Sequence, residues 1–149
     1  MTLRRANERD LDALLALERE CIAPPWSEGS MLYEVLNADA IFLVAEDAEV
    51  LLGFAVLRES VDAAEVFRVA VTANARRRGI GAALLRELIR VAENDGMQRL
   101  FLEVRVSNEA AIALYEQFGF RRQGVRRGYY ESPTEDALVL LREKWRVSE

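Results

Sequence analysis

The sequence contains no histidine. That absence removes Ser-His-Asp and Cys-His nucleophile systems, histidine-ligated zinc and the imidazole general base. Acid–base chemistry must then rest on Glu, Asp, Lys, Tyr, Cys or the backbone. A single cysteine, Cys21, leaves no partner for an internal disulfide. This excludes a disulfide scaffold and favours a reducing compartment. Long apolar runs are missing too. The longest, such as Ile41 to Ala45, are far too short to span a bilayer. The opening MTLRRANERD lacks the apolar core of a signal peptide. Basic residues are the minority, 20 against 25 acidic, for a formal net charge of −5. Such a balance argues against a general nucleic-acid binder and suits a basic partner. No repeat, low-complexity tract or linker interrupts the chain. With 149 residues, 51% of them hydrophobic, the expectation is one cytoplasmic domain over residues 1–149, with no membrane and no nucleic acid as partner.

What is present reads as alternating strands and helices. Leu3 to Arg5 suit a short first strand. Asn7 is placed to cap a helix, with Asp10 three residues on. Leu11, Leu14, Leu15 and Glu18 follow helical spacing, and Leu17 and Cys21 extend the apolar face. Pro24-Pro25 stops that helix. Ser27 caps a second one carrying Met31, Leu32, Val35 and Leu36. The period then changes from helical to extended. Ile41 to Glu46, Val50 to Glu59 and Glu65 to Val71 are rich in β-branched and aromatic residues and predict an antiparallel meander.

Ile80, Ala83, Leu84, Leu88, Val91 and Ala92 then form a helical stripe, with Gly96 past its end. Leu100 to Val104 is a short apolar strand. Ser107 is expected to cap the next helix, with Ala111, Leu114, Tyr115 and Phe118 on related faces and Gly119 as the stop. Phe120 to Gln123, Val125 to Tyr130 and Ala137 to Leu141 supply one or two last strands. A strand–helix–strand passage in the middle needs a crossover, so an α/β (α+β) protein with a mixed sheet follows.

The chemistry concentrates at RRRGIG, between a strand and a helix. Gly79 and Gly81 let backbone amides approach a ligand without Cβ interference. Unpaired amides and the positive end of a helix suit a phosphate. Arg76, Arg77 and Arg78 add cationic side chains there. The chain has no GxxxxGK[ST], and no GxGxxG follows the strand, so neither standard nucleotide motif applies. The other reading is a tight turn with a solvated basic face.

The segment VFRVAVTANARRRGIGAALLRELI resembles the acyl-CoA pyrophosphate motif of the GNAT superfamily of N-acetyltransferases, with Arg76, Arg77, Arg78, Gly79, Ile80 and Gly81 as its core. FLEVRVSNEAAIALYEQFGFRRQGVRRGYY resembles the superfamily's following segments. Pro25-Trp26-Ser27 and Glu135-Asp136-Ala137 extend the likeness to the bacterial RimI group, which acetylates the N-terminal alanine of a small-subunit ribosomal protein.

The resemblance implies a sheet of about seven strands flanked by about four helices, with acetyl-CoA as cosubstrate and no metal. A bulged strand ending in Val69, Ala70 and Val71 would face the pantetheine arm and thioester, with an amide near Val71 for the oxyanion. Arg76 to Ala82 would hold the pyrophosphate and Asn108 would touch the cofactor, although Asn108 also suits a helix cap. Glu103 is implied as general base. Its place in an apolar strand predicts partial desolvation, which favours a raised pKa. An ion pair with Arg105 or Arg99 is the alternative. Tyr115 is implied as the acid that protonates the leaving thiolate, and a core aromatic is its alternative. Trp26, Tyr129 and Tyr130 offer flat contact area for a peptide, in competition with ordinary loop packing.

Arg68, Thr72 and Ala73 depart from the RimI pattern, and Arg68 is expected to point toward the acceptor. Three functions compete: acetylation of a protein N-terminus, acetylation of a small-molecule amine or lysine side chain, and non-catalytic acyl-CoA binding.

Overall fold

A computed structural model describes residues 1–144. Among the described residues there are seven strands and four α-helices. They run β1 (Thr2–Arg5), α1 (Leu11–Cys21), α2 (Glu28–Leu36), β2 (Ala40–Asp47), β3 (Val50–Glu59), β4 (Ala63–Val71), α3 (Ile80–Asn94), β5 (Arg99–Arg105), α4 (Glu109–Gln117), β6 (Arg121–Tyr130) and β7 (Glu135–Glu143). The strands form one mixed sheet in the order β1-β2-β3-β4-β5-β7-β6. Its one parallel pair is β4 with β5, joined through α3. The seven strands, four helices and mixed pairing agree with the sequence expectation. No helix among the described residues is long and apolar enough to cross a membrane.

Both faces of the central strands are covered, which explains their unbroken apolar runs. Ile41, Leu43, Ala55 and Leu57 join Leu84, Leu85, Leu88, Leu100 and Leu102 in the larger core under α3 and α4. Their alternates Phe42, Val44, Phe54 and Val56 pack with Leu14, Leu17 and Met31 under α1 and α2. The buried face of α3 is shifted from the predicted stripe: Leu85 and Ile89 are buried with Ile80, Leu84, Leu88 and Ala92, whereas Ala83 and Val91 are half-buried. Asn7 caps a 3₁₀ turn, Glu8–Asp10, which leads into α1, and Asp10 bonds back to complete a capping box. Gly96 and Gly119 sit just beyond α3 and α4 with positive φ, as the sequence suggested. Gly53 is required for a different reason: a Cβ there would lie 2.6 Å from the carbonyl oxygen of Ala70.

Two local expectations change. Asn108, not Ser107, caps α4, and its Oδ1 accepts the Ala111 amide at 3.2 Å. Ser107 instead donates its own amide to Glu135 Oε2 at 2.7 Å. The stretch read as two segments is one long strand, β6, whose register against β7 shifts at Arg122/Gly124 and again at Arg126/Tyr130.

The feature that positions the site is a fork in mid-sheet. β4 and β5 pair only from Ala63↔Arg99 to Val66↔Leu102. Phe67 is then the extra residue of a bulge, since Val66 faces Leu57 and Arg68 faces Val56. Beyond it, β4 stays with β3 as far as Val71, while β5 stays with β7 as far as Arg105. The inner edge of β4 from Phe67 to Val71 has no strand partner.

Candidate active site

A cleft of about 680 Å³ occupies the fork on the α3–α4 side. Val69, Ala70 and Val71 form one wall, the turn and first residues of α3 the second, and Asn108, Ala111 and Leu114 of α4 the third. The turn is built from two left-handed residues, Arg77 (φ 66°) and Gly79 (φ 77°). Gly79 occupies the cap position of α3 with no side-chain cap, and no acidic residue lies in the first turn. The first helical bond is Ala83 N–H to Gly79 O at 3.0 Å. The amides of Ile80, Gly81 and Ala82 therefore have no helical acceptor, and the positive helix end is uncompensated. A Cβ on Gly81 would stand 3.6 Å from Leu114 and 3.8–3.9 Å from Val71 and Val69, on the cleft floor. Such a cradle fits a diphosphate with a slim chain attached.

The three arginines divide. Arg76 and Arg77 line the cleft, with Arg76 Nε donating to Val71 O at 3.0 Å. Arg78 is not on its wall and turns toward Asn74 O at 3.4 Å. Asn108 both caps α4 and stands on the cleft wall, so its two readings are compatible. Cys21 and Ile22, from the end of α1, also line the cleft, and burial pushes the Cys21 thiol up. The sequence carried no signal for these two.

Glu103 lies on β5 at the fork. Leu100, Leu102 and Val104 enter the core, so the alternates Phe101, Glu103 and Arg105 face the α1–α2 side. The Glu103 side chain is only 11% exposed. Its Oε2 is buried without a hydrogen-bond partner. The nearest cation is Arg126, whose Nε lies 3.7 Å away. Arg105 and Arg99, the sequence-based candidates, pair elsewhere, with Glu135 and Asp62. Glu65 is the second carboxylate sensed there, its pKa raised by burial first and by the charge of Glu103 second. Parallel pairing of β4 with β5 was the signal that could have found it.

Tyr129 and Tyr130 sit beside Glu103 with their rings edge to face at 5.1 Å. Burial raises Tyr129, and the charge of Glu103 and a hydrogen bond to it add to the effect. Tyr130 is pushed up to about 12, by burial first and Glu103 second. Arg105 lies 4.5 Å over the Tyr130 ring and Arg126 5.7 Å over that of Tyr129.

Tyr115 projects from α4 into the larger core, where it meets Phe120 edge-on at 5.7 Å. Burial, with a smaller effect of Tyr130, holds its hydroxyl well above the ordinary phenol range. Neither Tyr115 nor Glu103 lines the cleft, and among the described residues no hydrogen bond joins the two. Tyr130 is coupled electrostatically to both.

Trp26, in the α1–α2 connection, closes the other side of this face. Its amide donates to Glu18 Oε2 at 2.7 Å. Arg68 does face this side, yet its guanidinium lies against Glu18 and the Trp26 ring rather than open to a ligand. The sequence did place Glu18 on the apolar face of α1, and a charge in that stripe was the available signal.

Comparison with known proteins agrees with this geometry. The acetyltransferase (GNAT) family profile matches residues 11–120. The chain is 36% identical over 141 residues to the [ribosomal protein bS18]-alanine N-acetyltransferase of Escherichia coli K12, covering 93% of this chain and 95% of that one. It is 32% identical to a putative protein of the same name from Bacillus subtilis, over 93% and 92% of the two chains. The crystal structure of the E. coli ribosomal-protein-S18-alanine N-acetyltransferase superposes with a TM-score of 0.89 at 35% identity, covering 95% of this chain and 92% of that one. On sequence, fold and the glycine turn together, the chain belongs to the acetyltransferase (GNAT) family.

Proposed function

We propose that this protein transfers the acetyl group of acetyl-CoA to the N-terminal α-amine of a protein, the N-terminal alanine of a small-subunit ribosomal protein being the acceptor. The observation that carries the proposal is the fork. It sets a cradle of unpaired amides on one side of the sheet and a buried carboxylate oxygen without a hydrogen-bond partner on the other. Similarity to relatives named for this reaction supports the acceptor.

Acetyl-CoA supplies an activated thioester carbonyl. The amides at Gly79 to Ala82, with Arg76 and Arg77, would hold its diphosphate, and the free edge of Val69 to Val71 would align the arm and meet negative charge growing on the carbonyl oxygen. Asn108 would touch the carrier from the α4 side. Glu103 accepts the proton that the attacking amine loses as the C–N bond forms. Tyr115 gives a proton to the sulfur as the C–S bond breaks. A phenol carries its proton at neutral pH without help, and burial raises Tyr115 further, which makes that proton harder to release.

The acceptor choice follows from the strength of the base. At pH 7 an α-amine costs about 1 kcal/mol to deprotonate, whereas a lysine costs about 4.6. A carboxylate, a modest base, matches the first. Trp26, Tyr129 and Tyr130 frame the approach, and the net charge of −5 draws a basic tail toward it. The test is acetyl transfer to a peptide beginning with alanine, beside the same peptide with its N-terminus blocked. Transfer should require the free N-terminus even when lysines are present. Equal rates on the two peptides would end the proposal.

A further inference from the structure

Arg68 follows the bulge at Phe67 directly, on the strand whose next residues, Val69 to Val71, wall the cofactor cleft. Its guanidinium makes three kinds of contact at once. Nε and Nη2 reach the Glu18 carboxylate, the latter at 3.1 Å from Oε2. Nη1 donates to the carbonyl of Phe67, the bulged residue, at 3.2 Å. Its Cζ lies over the ring of Trp26, 4.2 Å from the centroid. Glu18 is fully buried and also accepts the Trp26 amide at 2.7 Å. One planar group therefore ties α1, the connection that carries Trp26, and the bulge of β4 into a single joint.

A buried ion pair of this kind is a poor source of stability, because desolvation offsets the attraction. Its geometry is what it contributes. A forked, flat cation satisfies a carboxylate and a carbonyl in its plane while stacking on an indole, which an ammonium cannot do.

We infer that Arg68 is a positioning residue for the acceptor: it fixes Trp26, and with it the peptide-facing connection, relative to the strand that holds the acetyl donor. The inference rests on the proposed acetylation of a protein N-terminus. It follows that peptide binding, and not donor binding, depends on the guanidinium.

The experiment compares Arg68→Gln and Arg68→Lys, using an alanine-initiated peptide and acetyl-CoA. Arg68→Gln should raise the peptide KM about tenfold, the loss expected when a stacked, hydrogen-bonded anchor is released, while the acetyl-CoA KM stays within about twofold. Lysine restores the charge opposite Glu18 but not the stack, so thermal stability should recover while the peptide KM remains raised about threefold. In a Trp145→Phe background Trp26 is the remaining indole, and its emission should shift to the red on Arg68→Gln.

An unchanged peptide KM, an equal rise in the acetyl-CoA KM, or full recovery of the peptide KM by lysine would each overturn the inference. Failure of the acetylation proposal looks different. The unaltered protein then leaves every free-amine peptide unmodified, while the Trp26 emission still responds to Arg68→Gln.

Discussion

Gly81→Ala separates folding from donor binding at one atom. The added Cβ makes ordinary contacts with Leu114, Val71 and Val69 at 3.6–3.9 Å, and Gly81 has no positive φ to strain. Removing glycine from a helical position that tolerates alanine stabilises by about 0.4–1 kcal/mol, chiefly by restricting the unfolded chain. Spread over the unfolding entropy of a domain this size, that raises Tm by about 1–4 °C. The same methyl group stands on the floor of the cleft. Forcing a bound molecule to share that space costs about 1–3 kcal/mol, which is about 5- to 150-fold in Kd for acetyl-CoA. Gly79→Ala is the contrast. Its Cβ would meet nothing within 4 Å, but φ is +77°, so backbone strain alone should destabilise the fold by about 1–2 kcal/mol. Thermal unfolding and titration calorimetry with acetyl-CoA read both quantities. A Gly81→Ala protein that binds acetyl-CoA as tightly as the unaltered one would refute the assignment of the cleft.

Glu103→Gln removes the proposed proton acceptor and should lower kcat by about 10²–10⁴, with acetyl-CoA affinity retained. An unchanged kcat removes Glu103 from the reaction. Tyr115→Phe keeps the buried ring and its edge contact with Phe120, so a fall in kcat with near-native Tm reports lost proton donation. A fall in Tm alone would return Tyr115 to the core. Glu59, on β3, has its pKa raised to about 7 by burial first and then by Asp95 at the end of α3. The folded protein therefore keeps a proton that the unfolded chain releases above the ordinary carboxylate range. This contribution to stability is full at low pH and is lost as pH rises through about 7. Glu59→Gln should gain Tm relative to the unaltered protein at pH 8 and change it little at pH 5; equal shifts at both would show the site is not linked to folding.

The periodic elements were legible because each face of each element has one destination. Leu84 and Leu88 repeat at helical spacing, and Ile41 to Ala45 is apolar throughout because both sheet faces are covered. The glycine turn was legible because αL backbone and unpaired amides demand particular residues at fixed offsets. What stayed hidden depends on pairing across long separations. Arg126 reaches Glu103 through a hairpin whose register shifts twice, and local spacing pointed to Arg105 and Arg99 instead. Glu18 and Arg68 are separated by 50 positions. The fork is an absence of pairing, for which no residue type is a marker. Asn108 outcompeted Ser107 as the cap because the Ser107 amide is drawn to Glu135 from a different strand.

The parted strands have a consequence for which molecules can enter. An open sheet border invites any extended polypeptide to add itself, which is a standing aggregation hazard. Here the fork-facing edge of β4 up to Val71 is instead in the interior of the sheet, with β5 as the next strand and α4 across the cleft. A polypeptide arriving from outside meets no open sheet border there, whereas a ligand lying in the cleft does reach main-chain hydrogen-bonding groups, which the protein thus keeps from its neighbours.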